Sequence, residues 1–485
     1  MHRSRRFIAT FVLGLVCWLP TAHADVRLPR VIGSNMVLQR NAALPIWGWA
    51  DPGEQVTVNI SGNAATTTAD GNGDWSLRLS PMSAGGPHQM TVQGQNELVL
   101  ENILIGEVWV CSGQSNMHWG VRQSDDADAE IAAADFPNIR LFHIPRVPAG
   151  TPQDDVEADW SQCTPETVPT FSAVAYFFGR KLHQDVGVPI GLIETAWGGT
   201  RIEPWTTLDG FRSSPEVASL ADESEAKHAA YVESLASLAE GAEQPKHPLE
   251  DRQAPTGLYN GMVHPIVPFA MRGAIWYQGE SNRADGPLYR HKMTALINGW
   301  RRVWNQGEFP FLFVQLAPFR YDGDPEMLPR IWEAQAQSLW VPNTGMAVIT
   351  DIGDVDDIHP TNKQEVGRRL ALWALAQTYG QTGVTYSGPQ YKGMSVEGNR
   401  IRIQFKQSAE GLQSSDGEPL TWFSIAGANG EFVEAQAAIE GHTVVVHSDQ
   451  VAQPVSVRFG WNQEAEPNLV NSAGLPASPF RTHKW

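Results

Sequence analysis

One serine in the chain has the setting of a catalytic nucleophile. Ser115 follows an apolar run from Val108 to Cys111, which lacks polar alternation and is typical of a strand buried on both faces of a parallel sheet. Gly113 marks the end of this strand, so Ser115 would lie just beyond its carboxyl end, where ligands bind in open α/β sheets. Met117 stands where a G-x-S-x-G elbow has its second glycine, so this stretch alone is more typical of an ordinary turn than of a catalytic serine.

Three other polar motifs have the same relation to a predicted strand. They are TAWGGTR, WYQGESN and DVDDIHP, at residues 195–201, 276–282 and 354–360. Each comes at the end of an apolar run, at residues 190–193, 274–277 and 347–352 respectively. Because the carboxyl ends of parallel strands meet at one edge of a sheet, we expect all four motifs to come together there.

The residue types in these motifs fit ester hydrolysis. That reaction needs a nucleophile, a base, a group that orients the base, and donors for the oxyanion. Ser115 is the candidate nucleophile, and His359 is the candidate base because its ordinary pKa suits proton transfer near neutrality. Asp356 is the candidate that orients His359, and Asp357 competes for this role. The chain order Ser, Asp, His is a known triad order.

Several groups qualify as oxyanion donors. They are the backbone N–H of Ser115, an N–H of the Gly198–Gly199 pair, and a side-chain amide. Gln278 and Asn282 both qualify as the amide. Glu280 lies between these two amides, and we interpret it as a structural ion-pair partner of Arg201 in preference to a second catalytic acid.

Metal catalysis is the main chemical alternative. Four acidic residues and one histidine lie within or just before the last motif. They are Asp351, Asp354, Asp356, Asp357 and His359. The chain contains neither an H-E-x-x-H motif nor paired cysteines with metal-ligand spacing. We therefore expect neither a metal nor another cofactor.

The first 24 residues have the pattern of a secretory signal peptide. Three arginines precede an apolar core at residues 7–19, and Ala22-His23-Ala24 is an A-x-A cleavage site. We predict cleavage after Ala24, no membrane span in the mature protein, and a periplasmic or secreted location. Of the three cysteines, Cys111 and Cys163 would remain, and we expect two isolated thiols.

The charge of the chain excludes some partners. Its formal net charge is −18 at pH 7, and removal of the signal peptide makes it three units more negative. A strongly acidic protein is a poor match for nucleic acid or for an anionic membrane surface.

Three regions are predicted from the pattern of strands, helices and turns. Residues 25–105 show short alternating runs between turn clusters, which predicts a β-sandwich-like domain. Residues 106–380 alternate strand-like and helix-like segments, which predicts a doubly wound parallel sheet, interrupted by a helical insertion at 206–252. We interpret this insertion as a solvated decoration in preference to a lid. Residues 381–485 return to a β pattern, which predicts a second β-sandwich-like domain at the C-terminal end.

Together the four motifs closely resemble the sialate O-acetylesterase family of the SGNH (GDSL-like) hydrolase superfamily. The resemblance is carried by GQSNM, WGGTRIEPW, WYQGESN and DDIHPTNKQEVGRRLA. It implies an SGNH-type domain, with Ser115 as nucleophile, His359 as base, Asp356 in the D-x-x-H pattern and Gly199 in the oxyanion hole. The third sequence block of the superfamily normally carries an asparagine where this chain has Ser281, so both Gln278 and Asn282 stay candidates for the amide donor.

The resemblance implies a secreted serine esterase that removes acetyl groups from sugars without a cofactor. The substrate would be an acetylated sugar or glycan, either 9-O-acetylated sialic acid or an acetylated plant polysaccharide such as xylan. Sialic acid carries a carboxylate, which a site arginine such as Arg201 or Arg283 would recognise. On this basis Arg201 and Glu280 are the candidate substrate-binding residues. A catalytically inactive carbohydrate-binding protein is the alternative from another functional class.

Overall fold

The structure is a computed structural model that describes residues 25–239 and 241–483. The predicted signal peptide, residues 1–24, lies outside the described residues. Within them, no helix is long and apolar enough to cross a bilayer. Cys111 and Cys163 are free and buried, as predicted.

A large mixed sheet forms the centre of the molecule. Its main strands follow the order β13-β12-β11-β7-β10-β8-β9, and all neighbours are parallel except the pair β8 and β9. The strands are β7 (Glu97–Gly113), β8 (Phe136–His143), β9 (Trp160–Cys163), β10 (Ile190–Ala196), β11 (Gly273–Tyr277), β12 (Phe311–Val314) and β13 (Thr344–Ala347). After β7 the chain forms strands β8, β9 and β10 on one side of it, and then strands β11, β12 and β13 on the other side. This reversal makes the end of β7 the topological switch point, where ligands bind in such folds.

Eight α-helices accompany the described strands, with π-helical turns at Tyr259–Val263 and Ala374–Thr378. The helices are α1 (Ser115–His118), α2 (Ala127–Ala132), α3 (Ala173–Val186), α4 (Leu208–Arg212), α5 (Ser219–Ala236), α6 (Leu288–Trp304), α7 (Met327–Gln337) and α8 (Lys363–Trp373). Side-chain caps define where α3 and α8 begin, because the Ser172 hydroxyl accepts from the Ala175 N–H and the Asn362 amide oxygen accepts from the Glu365 N–H.

The register of the sheet brings the predicted motifs together. Gly113 is the Cα partner of Ala196 on one side and of Tyr277 on the other. The three strands β10, β7 and β11 therefore end at the same level, and the chain segments that follow them share one edge. This places TAWGGTR and WYQGESN on either side of Ser115.

The N-terminal region is continuous with the central sheet. Its strands are β1 (Val37–Gln39), β2 (Leu44–Trp49), β3 (Gln55–Ile60), β4 (Asn63–Thr68), β5 (Asp74–Leu79) and β6 (Gly85–Gln93). The first half of β7 pairs with β1 and β6, and its second half pairs with β10 and β11. The predicted domain boundary at residue 105 thus lies inside one 17-residue strand.

The C-terminal region has its own β core. Its strands are β14 (Gln390–Glu397), β15 (Arg400–Lys406), β16 (Leu412–Ser414), β17 (Phe423–Ala426), β18 (Phe432–Glu434), β19 (Gln436–Glu440), β20 (Thr443–His447), β21 (Ser456–Phe459), β22 (Leu469–Asn471) and β23 (Phe480–Arg481). They form two four-stranded sheets and a two-stranded one, with a separate hydrophobic cluster that includes Ile403, Val444 and Phe459.

The insertion predicted at 206–252 contains α4 and α5. Helix α5 buries only Ala221 and Ser224, so most of its surface faces solvent. A cavity of about 450 Å³ lies between this insertion and the loop at residues 150–152, and its lining includes Asp209, His228 and Tyr259 but not Ser115.

Candidate active site

The sharp turn after β7 presents Ser115 at the edge of the sheet. Gly113 has a φ of 146°, and a Cβ on it would lie 2.1 Å from the Tyr277 carbonyl oxygen, so only glycine fits there. The next residue, Gln114, donates its N–H to the same oxygen at 3.0 Å. Ser115 then begins helix α1 and is partly exposed.

His359 lies directly against the nucleophile. Its Nε2 is 3.0 Å from Ser115 Oγ, within hydrogen-bond distance of the proton that it would remove. The imidazole stacks on the Trp119 ring, with centroids 4.7 Å apart and an interplanar angle of 16°. Burial and the nearby charge of Lys363 lower the pKa of His359 below its ordinary value, while Asp357 acts in the opposite direction. The imidazole is therefore favoured in its neutral form, which is the form that a base needs.

The structure brings Asp357, and not Asp356, to His359. Asp357 Oδ1 is 3.7 Å from the imidazole Nδ1 of His359. The same carboxylate oxygen accepts a hydrogen bond from the backbone N–H of His359 at 2.9 Å. Asp356 instead pairs with Arg320 on the surface. A tight turn explains the difference, because Asp357 donates its N–H to the Asp354 carbonyl, and this directs the two neighbouring side chains apart.

Backbone N–H groups are available beside the nucleophile. A Cβ on Gly198 would lie 3.2 Å from Ser115 Cβ, so the Gly198–Gly199 backbone passes next to Ser115. Gly199 has a φ of 74°, a conformation that favours glycine. Among the described residues, the N–H groups of Ser115 and Gly199 have no acceptor. Both predicted backbone donors are thus free to bind an oxyanion.

The two predicted amide donors point into the protein instead. Gln278 Nε2 donates to Asn282 Oδ1 at 2.7 Å and to Gln114 Oε1 at 3.1 Å. Asn282 Nδ2 donates to Glu203 at 3.0 Å and to Asp285 at 2.7 Å. Because buried donors keep their acceptors, neither amide is available to a substrate oxygen in this arrangement.

Arg201 and Glu280 do not form the expected ion pair, because each has other partners. The Arg201 guanidinium lies 2.9 Å from both Glu203 and Asp285, and it also donates to the Ser281 carbonyl. Glu280 is buried and accepts from the Asn116 amide at 2.6 Å. Both residues proposed for substrate binding are therefore engaged within the protein.

A buried polar chain that sequence reasoning missed runs behind the nucleophile. Lys363 Nζ donates to Asn116 Oδ1 at 2.6 Å, and Asn116 Nδ2 donates to Glu280. Lys363 also lies over the rings of Trp119 and Tyr277, 5.8 and 5.3 Å from their centroids. Burial lowers the pKa of Lys363 to about 7 and raises that of Glu280. One signal was present in the sequence, since Lys363 is the first residue of α8, where the helix dipole disfavours a cation.

The acidic residues near His359 do not converge. Asp351 forms two bonds with Arg369, at 2.6 and 2.7 Å, and Asp354 accepts the Asp356 N–H. Asp356 and Asp357 face Arg320 and His359 respectively. These five residues, weighed above as the metal-binding alternative, therefore do not form a common site.

The chain is similar to known carbohydrate esterases over most of its length. Residues 105–376 match the family model described as carbohydrate esterase, sialic acid-specific acetylesterase. The chain is 32% identical to the human sialate O-acetylesterase over 97% of its own length and 95% of that protein, and 31% identical to the mouse enzyme over 95% of each. Among solved structures, a carbohydrate acetylesterase from Xanthomonas citri is 38% identical and superimposes with a TM-score of 0.85, covering 95% of this chain and all of that one.

The fold, the paired Ser115 and His359, and these similarities define a carboxylic ester hydrolase. More specifically, the chain belongs to the sialic acid-specific acetylesterase family of carbohydrate esterases.

Proposed function

We propose that this protein is an exported serine esterase that removes O-acetyl groups from carbohydrate. The observation that carries the proposal is the 3.0 Å separation of Ser115 Oγ and His359 Nε2 at the switch point of the sheet. The names of its relatives support an acetylated sugar as substrate.

The mechanism begins with attack of Ser115 Oγ on the acetyl carbonyl, while His359 Nε2 accepts the hydroxyl proton. The N–H groups of Ser115 and Gly199 stabilise the oxyanion of the tetrahedral intermediate. His359 then gives its proton to the departing sugar oxygen, which leaves an acetyl-Ser115 intermediate. Water, deprotonated by His359, releases acetate and restores the serine. In this scheme Asp357 takes the orienting role first assigned to Asp356.

Two substrate classes are supported by different observations. The curated relatives are named for sialate, which supports 9-O-acetylated sialic acid. The engagement of Arg201 by Glu203 and Asp285 favours instead a neutral glycan such as acetylated xylan, because a sialate carboxylate would lack that guanidinium as a partner. Arg283 lies over the Tyr321 ring and donates one N–H to the Glu280 carbonyl, so it is the arginine still able to meet a carboxylate.

The decisive experiment measures acetate release from 9-O-acetylated sialic acid and from acetylated xylan. Wild type is compared with Ser115→Ala and with Ser281→Ala, a control serine within a neighbouring motif. Release from one substrate that is lost only in Ser115→Ala supports the mechanism and identifies the substrate class. Release that persists in Ser115→Ala contradicts the mechanism. Absence of activity on both substrates and on p-nitrophenyl acetate favours the inactive carbohydrate-binding protein.

Export is a separate part of the proposal. The charged start, short apolar core and A-x-A site of residues 1–24 support it. N-terminal sequencing of the protein recovered from the periplasm or medium should begin at Asp25. Retention of the complete chain in the cytoplasm would contradict export.

A further inference from the structure

Three side chains that are not part of the Ser115–His359 pair meet where strands β8 and β10 end. His118 is the last residue of α1, His143 is the last residue of β8, and Glu194 lies in β10 as the Cα partner of His143. Their nitrogen and carboxylate atoms lie within 4.8 Å of one another. None of the three has a role in the mechanism proposed above.

The distances match those between ligands of one metal ion. Glu194 Oε1 is 3.0 Å from His118 Nδ1, and Oε2 is 3.3 Å from His143 Nδ1. Ligands bonded at 2.0–2.1 Å in a tetrahedral zinc site are separated by about 3.3 Å. We infer that His118, His143 and Glu194 form a binding site for a divalent transition-metal ion, of which Zn²⁺ is the best match.

The donor set supports this choice of ion. Two imidazole nitrogens with one carboxylate oxygen suit zinc and similar first-row metals, whereas calcium and magnesium prefer oxygen ligands alone. Neutral imidazoles can release Nδ1 for the ion by carrying their proton on Nε2. The two Nδ1–carboxylate contacts would then be replaced by three bonds to the metal.

The site is rigid on one side and open on the other. Glu194 is 1% exposed, and its Oε2 also accepts the Ser172 N–H at 2.9 Å, which fixes the carboxylate plane. The side chains of His118 and His143 are 28% and 40% exposed, so an ion can enter from solvent and keep a water ligand. The bound ion would fix α1, the helix that begins with Ser115, to β8 and β10.

Zinc binding by the complete, metal-stripped protein tests the inference. Isothermal titration with Zn²⁺ should show one site, and His143→Ala should weaken its affinity at least about tenfold. Co²⁺ should give visible absorption bands in wild type that are absent from His143→Ala. Zn²⁺ should also raise the thermal midpoint of wild type and leave that of the variant unchanged.

A control is needed because a second histidine pair exists. His228 Nδ1 lies 3.0 Å from His247 Nε2 in the insertion. His228→Ala should retain the Zn²⁺ affinity of wild type. Glu194→Gln should lose this affinity, provided that circular dichroism shows the variant to be folded. Equal affinity of wild type and His143→Ala, or loss of binding in His228→Ala alone, would overturn the assignment. These readouts do not involve ester hydrolysis, so their failure is distinct from failure of the proposed function.

Discussion

The carboxylate beside His359 is the residue-scale feature whose role is easiest to test. Asp357 faces His359 Nδ1 at 3.7 Å and is 55% exposed. It is thus more distant and better solvated than the buried aspartate of a protease triad. We expect Asp357→Asn to lower kcat on p-nitrophenyl acetate by about ten- to a hundredfold, because the imidazole loses its orienting partner.

Asp356→Asn is the matched control for that measurement, since it changes the adjacent carboxylate, which pairs with Arg320. Its kcat should stay within about twofold of wild type, because an exposed ion pair contributes little. A large loss in Asp356→Asn would return the orienting role to that residue. Small effects in both variants would show that Ser115 and His359 work as a dyad.

The pH profile of the reaction depends on the buried charge of Lys363 near His359. The charged groups that face His359 are Lys363 and Asp357, and Lys363 lowers its pKa. His359 must be neutral to act as a base, so kcat/KM rises with pH through the pKa of His359. Lys363→Met removes a positive charge, which raises that pKa and should move the acidic limb to higher pH.

This effect requires kcat/KM to be measured across the acidic limb for wild type, Lys363→Met and Lys181→Met. Lys181 is a surface residue paired with Asp185 and serves as the control for a loss of charge alone. A limb that moves to lower pH in Lys363→Met, or that moves equally in Lys181→Met, would contradict the role assigned to Lys363.

Some site residues were predictable from sequence and others were not. The meeting of Ser115 and His359 could be predicted because each follows a predicted strand and so reaches the same edge of the sheet. The choice between Asp356 and Asp357 depends on a turn whose direction no motif specifies. The inward engagement of the Gln278 and Asn282 amides could not be predicted, because Asp285, which lies outside every motif, completes the cluster that binds Asn282.

At the scale of elements, the junction of β7 and β11 depends on the absence of one side chain. Gly113→Ala would place a Cβ 2.1 Å from the Tyr277 carbonyl oxygen. The clash and the unfavourable φ should lower the free energy of unfolding by at least about 3 kcal/mol and reduce activity, because Ser115 is displaced. Urea denaturation and kcat measure the two effects.

Gly187→Ala separates strain from the clash. Gly187 ends α3 with a φ of 71°, and a Cβ there meets nothing within 4 Å. This variant should lose only about 1–2 kcal/mol and keep its activity. Equal losses in the two variants would show that backbone strain alone, and not contact with Tyr277, makes Gly113 necessary.

The predicted elements held best where periodicity was long. The apolar periodicity of residues 288–304 indicates a helix, and α6 spans these residues. A strand is predicted at residues 347–352, but β13 ends at Ala347. The segment that follows is held by α8 instead, because the Arg369 guanidinium donates hydrogen bonds to the Val348 carbonyl and to the Asp351 carboxylate. A buried arginine on the next helix overrides local strand propensity in a way that the segment itself does not reveal.

At the scale of the whole molecule, we expect the N-terminal strands and the central sheet to unfold together. They share one hydrophobic core, and Glu107, fully buried, links Arg40 near β1 to Arg272 before β11. Glu107→Gln should lower the free energy of unfolding by about 3 kcal/mol, because it breaks a buried ionic cluster. Hydrogen exchange should show protection lost in both regions at the same urea concentration.

Glu440→Gln is the control, since Glu440 forms a half-exposed pair with Arg402 in the C-terminal region. Its effect should be below about 1 kcal/mol. Loss of protection in β3 and β6 before any change in β10 and β11 would contradict a single cooperative unit and would favour the three separate domains predicted from sequence.

The shared strand β7 also has a consequence during synthesis of the chain. Its first half pairs with β1 and β6, which are synthesised before it. Its apolar second half pairs with β10 and β11, which are synthesised later and begin at Ile190 and Gly273. The ribosome must therefore add well over a hundred residues before this strand is covered on both edges. Until then this apolar half of β7 stays exposed to chaperones and to aggregation.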